Sequence, residues 1–79
     1  MPVLSEIPIR GETIRLGQLL KLAGVVHSGS EAKALLAAGR VLVNDAPEAR
    51  RGRQLHPGDA VRAGEYDLRV IAAPDIPQE

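Results

Sequence analysis

Cysteine is absent from the 79 residues. Without it no disulfide framework or thiolate zinc site can form, and a reducing compartment is the expected setting. Aromatic side chains are almost absent as well: Tyr66 stands alone, with no Phe and no Trp. The core must therefore be assembled from Leu, Val, Ile and Ala. Reading of single-stranded bases by a platform of stacked aromatics is not expected. No apolar run approaches the roughly 18 residues of a membrane span. The first twelve residues, MPVLSEIPIRGE, carry acidic side chains and lack the apolar block of a signal peptide. A cytoplasmic protein without a membrane partner is expected.

Catalytic signatures are missing too. There is no G-x-S-x-G, no P-loop and no H-E-x-x-H. His27 and His56 lack the spacing and the cysteine partners of a metal site. A chain of this size buries only about 60% of the surface its unfolded form exposes, which leaves little scaffold for a deep cleft. The expectation is one domain over residues 1–79, with a core over 9–72 and loose termini. It is read as a monomer and a non-enzyme, with no cofactor, no metal and no small-molecule substrate.

Formal net charge is zero, but its distribution is uneven. Residues 33–53 hold Lys33, Arg40, Arg50, Arg51 and Arg53 against Asp45 and Glu48, while residues 54–79 hold Arg62 and Arg69 against five acidic side chains. A basic middle and an acidic tail make a dipole that could orient the protein on a polyanion.

Leu16, Leu19, Leu20 and Ala23 recur at i, i+3, i+4 and i+7, the stripe of an amphipathic helix. Thr13 is its expected cap and Gly24 its stop. A second helix is better marked. Ser28 and Glu31 have capping-box spacing, Ala32, Leu35, Leu36 and Gly39 form the inward stripe, and Gly39 ends it. Gly29, Lys33 and Ala37 flank that stripe, a smooth surface that a polymer backbone could approach. Arg40 to Val43 reads as strand, Asn44-Asp45 as a turn needing positive φ, and Pro47 to Arg50 as a returning strand broken by Gly52. Pro57-Gly58-Asp59 is a turn. Ala60 to Ala63 and Asp67 to Ala72 are further strands joined around Gly64. Residues 1–6 read as a loose terminus, Ile7 to Arg10 as a weak edge strand, and 75–79 as a frayed polar tail. The fold class is α+β: two N-terminal helices packed on a small, strongly bent antiparallel sheet.

Two features point to phosphate. Arg50, Arg51 and Arg53 are three cations within four residues, and guanidinium groups match phosphate oxygens with forked donors. On a strand, Arg51 and Arg53 would share a face opposite Arg50. Glu48 alone is not expected to neutralise all three. At the start of the second helix, Ser28, Gly29 and Ser30 offer hydroxyls and free amides where the helix dipole is positive.

The order Leu16-x-x-Leu19-Leu20, Ser28-Gly29-Ser30-Glu31-Ala32-Lys33, Gly39-x-Val41-x-Val43-Asn44 and Pro57-Gly58-Asp59 resembles a known module. This is the RNA-binding domain named after small ribosomal subunit protein four, in its small stand-alone bacterial form. The resemblance covers roughly residues 9–72. It implies non-enzymatic binding of structured RNA, ribosomal or transfer RNA, with the ribosome as a further partner. The implied surface is the second helix and the following hairpin, which here means Ser28, Gly29, Ser30, Lys33, Arg40, Asn44, Arg50, Arg51 and Arg53. Two positions depart from the common pattern. Many members carry arginine where this chain has Gly29, and glycine where it has Asp45. A protein-interaction adaptor and a DNA-binding accessory of a replication or repair assembly stay open as rival readings.

Overall fold

A computed structural model describes residues 3–73 of the chain. In order the elements are β1 (Val3–Ile9), β2 (Ile14–Arg15), α1 (Leu16–Leu22), α2 (Gly29–Ala37), β3 (Val41–Val43), β4 (Ala46–Pro47), β5 (Gln54–Leu55), β6 (Ala60–Ala63) and β7 (Tyr66–Ala72). Five strands form one sheet in the order β1-β7-β6-β3-β4, and β2 pairs with β5 in a separate ladder. The α+β class is as expected, but the sheet is mixed. β1 lies parallel to β7, from Val3 opposite Tyr66 to Ile9 opposite Ala72, while β7, β6, β3 and β4 pair antiparallel.

Residues 3–6 are therefore strand and not a loose terminus, and they lengthen the edge strand expected from Ile7 to seven residues. Local pattern conceals this, because Leu4 is out of phase with Ile7 and Ile9 and its pairing partner lies at the far end of the chain. The Ile9 carbonyl accepts from the Ala73 amide, so the backbone polar groups of Ile9 face β7. Those of its neighbour Pro8 face the open edge, where the missing N–H denies a further strand one donor. The tail expected at 75–79 lies outside the described residues.

Arg15, not Thr13, stands at the N-cap position of α1, with no side-chain cap bond, because Ile14 and Arg15 are drawn into pairing with Leu55 and Gln54. The far end closes as expected: Gly24 has φ 78°, its amide donates to the Lys21 carbonyl, and the Val25 amide donates to Leu20. These two bonds make a Schellman stop. At α2 the Ser28 hydroxyl accepts from the Glu31 amide at 3.1 Å, and the Glu31 carboxylate accepts from the His27 amide at 2.7 Å. The box thus reaches one residue further back than its usual form. Gly39 follows the helix with φ 73° and is exposed, so it terminates α2 without joining its inward stripe.

Asn44 and Asp45 both have positive φ, 50° and 69°, in the two-residue turn that sets Val43 opposite Ala46. The returning strand stops at Pro47, well short of Arg50. There Glu48 takes over: its carboxylate accepts from the Ala49 and Arg50 amides, each at 3.1 Å, and the chain leaves the sheet.

One core joins all of this. Leu16, Leu19 and Leu20 of α1 and Ala32 and Leu36 of α2 cluster with Ile9, Val26, Leu55 and the inward residues of β3, β6 and β7. No charged or polar side chain is buried among the described residues. Each large aliphatic group so enclosed contributes about 1.5–3 kcal/mol relative to exposure.

Candidate nucleic-acid interface

The first amides of a helix have no acceptor within it. In α1 two of them are satisfied by the arginine-rich segment. Leu16 N–H donates to the Arg53 carbonyl at 2.8 Å, and Gly17 N–H donates to the Arg51 carbonyl at 3.0 Å. With the β2–β5 pairing, these bonds lay residues 51–55 across the start of α1. Gly17 permits the approach: a Cβ there would stand 2.5 Å from Arg51 Cγ.

The three arginines part company, and not as strand alternation predicts. Arg50 and Arg53 converge on Glu48, whose oxygens accept from Arg50 Nε at 3.1 Å and Arg53 Nη1 at 2.7 Å. The Arg50 side chain first, then Arg53, then the Arg50 amide hold the Glu48 carboxyl down to about 2 from its usual 4.5. Glu48 in turn raises the pKa of Arg50. Arg51 goes the other way and makes no ion pair among the described residues. Its stem lies on Gly17, and its Nη1 is 3.3 Å from where a Cβ of residue 29 would be. So where the resemblance implies an arginine in many members, a guanidinium stands against that position from a different element.

Arg15, Gly17, Gln18 and Lys21 of the α1 side, Gly29 and Ala32 of α2, and Arg51 and Gly52 line one groove of about 330 Å³. None of these residues is acidic. Lys33, exposed, follows Gly29 by one helical turn on the same face. Ser28 is occupied as the cap, and Ser30 is exposed beside it. The structure therefore gathers Gly29 and Arg51 at one groove, with Lys33 one helical turn further along α2. Arg50 and Arg53 open instead onto an adjoining basin with Gln54, His56 and Asp59.

Arg40 and Asn44 do not join that groove. Arg40 lies beyond the far end of α2, whose last residue, Ala37, is about 12 Å from Gly29 at the rise of an α-helix. It lines a separate depression with Gly39, Leu42, Arg62, Gly64 and Glu65. The Asn44 amide is committed to the fold: Nδ2 donates to Asp59 Oδ1 at 3.1 Å, and Oδ1 accepts from the Ala60 amide at 3.0 Å. Burial alone would raise the Asp59 pKa. The His56 amide, the Asn44 side chain and the charges of His56 and Arg53 together outweigh it and lower the value. Asp45 lies with Arg62, Asp67 and Arg69 in yet another groove, away from Arg51.

Arg15, Gln18 and Lys21 are absent from the sequence-based site. Their signal was present at i, i+3 and i+6, on the polar side of the helix whose other side carries Leu16, Leu19 and Leu20. The apolar stripe by itself does not reveal it, because these three polar residues lie off that stripe.

Comparison with known proteins places these features in a family. The profile of the S4 domain matches residues 7–71. The chain is 56% identical over 57 residues to the probable ribosome maturation protein RlbA of Bacillus subtilis (strain 168), covering 72% of this chain and 80% of that one. It is 36% identical over 59 residues to YbcJ of Escherichia coli (strain K12), named as a candidate RNA-binding protein, covering 75% of this chain and 84% of that one. A YbcJ of Shigella flexneri matches to the same extent. On this match, over most of its length, the chain belongs to the S4 domain family.

Proposed function

We propose that this protein binds structured RNA, ribosomal or transfer RNA, without catalysing a reaction, and that it does so by gripping phosphates and fitting helical shape. One observation carries the reading. Arg15, Lys21 and Arg51 surround a groove floored by Gly17, Gly29 and Ala32, with no carboxylate among its lining residues. Uncompensated cations over a smooth floor suit a polyanionic backbone. The lone aromatic, Tyr66, is 43% exposed but sits on β7, outside the groove, so base stacking has no platform there. Lys33 and Ser30 extend the phosphate contacts along α2, and Arg50 and Arg53 extend them along the arm. Arg40 and Asn44 hold β3 and its turn. The family and the names of the relatives support RNA and the ribosome as partners, in the cytoplasm.

The test is titration of total bacterial ribosomal RNA at several salt concentrations. Neutralising about three to five phosphates gives a slope of log affinity on log salt of roughly −2 to −4. A salt-independent affinity sinks the proposal. Competition between hairpin RNA and duplex DNA of one sequence separates RNA from DNA, because the 2′-hydroxyl and the A-form groove distinguish them.

An adaptor reading has one observation of its own. Val25, Ala34, Leu35, Ala38 and Tyr66 line a mainly apolar groove between α2 and the β6–β7 turn, with Glu31, Arg40 and Glu65 also in its lining. Replacing Arg50, Arg51 and Arg53 together by Ala decides between the two readings: the RNA reading predicts lost nucleic-acid binding in a variant whose melting curve confirms that it still folds once Glu48 has lost both cations.

A further inference from the structure

We infer that Gly17 and Gly29 are positioning residues for Arg51, and that the guanidinium they seat is the arm's dedicated ligand for one backbone phosphate. The inference rests on the RNA-binding reading and adds to it which arginine binds and what holds it ready.

The three arginines are chemically alike in sequence and unlike in place. Arg50 and Arg53 share the single negative charge of Glu48 and spend donors on it. Arg51 spends no guanidinium donor on any side chain among the described residues, so its five remain for a ligand. A free surface arginine must lose much rotamer freedom to bind. Arg51 has lost part of it already. Its carbonyl is held by the Gly17 amide at 3.0 Å, and its Cγ and Cδ would lie 2.5 and 3.2 Å from a Cβ at residue 17. The stem thus fills the space that a side chain at 17 would occupy. The head rests at Gly29, with Nη1 3.3 Å from a Cβ at that position. Among the described residues, Arg51 Nη1 is the one atom found within 4 Å of that position, and Arg51 lines the same groove as Arg15 and Lys21. Prior ordering of this kind raises affinity by reducing what binding must immobilise.

The two glycines differ in what a substitution does. At residue 17 the clash is with the stem and with a buried helix start, so a side chain there disturbs the fold as well as Arg51. At residue 29 the contact is with the far end of a flexible side chain on a partly exposed surface, so a branched residue moves the guanidinium and leaves the fold in place. Gly29 is therefore the position at which seating can be tested without unfolding.

The experiment is a double-mutant cycle on the full chain with Gly29→Val, Arg51→Ala and both together, titrated with total bacterial ribosomal RNA over a range of salt. Melting curves confirm that each variant is folded. Arg51→Ala is expected to lower affinity about tenfold and to flatten the salt slope by about 1, the signature of one lost phosphate contact. Gly29→Val is expected to lower affinity about fivefold although the charge of the protein is unchanged, and to add less than about twofold in the Arg51→Ala background, since coupled residues do not add. Binding by Arg51→Ala within twofold of wild type, with wild type binding well, overturns this inference and leaves the RNA reading intact. Equal effects of Gly29→Val with and without Arg51 also overturn it, because the glycine then serves something other than the arginine. Absence of ribosomal RNA binding by the wild type defeats both together.

Discussion

The Glu48 carboxylate accepts from the Arg53 guanidinium at 2.7 Å while also holding Arg50 at 3.1 Å. One acid thus gathers two of the three arginines and turns the backbone out of the hairpin by accepting from the Ala49 and Arg50 amides. The Glu48 side chain is only 9% exposed although its partners reach solvent. The basic arm is held in shape by a carboxylate at its root.

Stability should therefore fall in acid through this group. Its folded pKa is depressed to about 2 from 4.5, so the contribution is present above about 4.5 and is lost as pH falls toward 2. Melting temperature measured against pH should drop more steeply over that window for the wild type than for Glu48→Gln. Parallel curves for the two proteins would mean that Glu48 is not the group responsible.

Asn44 offers a separation of two effects. Asn44→Gly keeps the φ of 50° but removes the bonds to Asp59 and Ala60, which should cost about 1–2 kcal/mol in urea unfolding. Asn44→Ala should cost about 1 kcal/mol more, because a Cβ is strained in the left-handed region. Equal losses for the two would show that the turn relaxes.

Asp45→Gly should act in the other direction. Asp45 has φ 69°, which glycine adopts freely, so a gain of up to about 1 kcal/mol is expected on thermal unfolding. RNA affinity should change less than twofold, because Asp45 lies with Arg62 and not at the groove of Arg51. A large gain in affinity would place the RNA across the β3–β4 turn instead.

Leu36→Ala tests the single core. Leu36 is 3% exposed and lies in the cluster that joins α2 to the sheet. Chemical denaturation should show a loss of about 2–5 kcal/mol, a large share of the total for a domain this small. By contrast Ser28→Ala, which removes only the cap, should cost about 1 kcal/mol.

What local physics governs was legible in the chain. The leucine stripe at 16, 19 and 20, the Ser28 cap, the left-handed stops at Gly24 and Gly39, and the Asn44-Asp45 turn all stand where spacing and residue type put them. Each depends on neighbours within four or five positions, so sequence order is enough. The charge asymmetry that pointed to the basic middle is likewise a property of the chain alone.

The rest was decided by residues distant in sequence meeting in space. β1 exists as a seven-residue strand because β7 offers it an edge, and Thr13 loses its role because Gln54 and Leu55 pair with Arg15 and Ile14. Above all, the seating of Arg51 is tertiary, whereas Glu48 meets Arg50 and Arg53 from two and five positions away. Arg50, Arg51 and Arg53 carry identical chemistry. Only the folded chain sets a pair of glycines from two helices beneath Arg51 and so separates it from the two that Glu48 holds. A run of like residues fixes how much charge is present, while long-range packing fixes where each charge points.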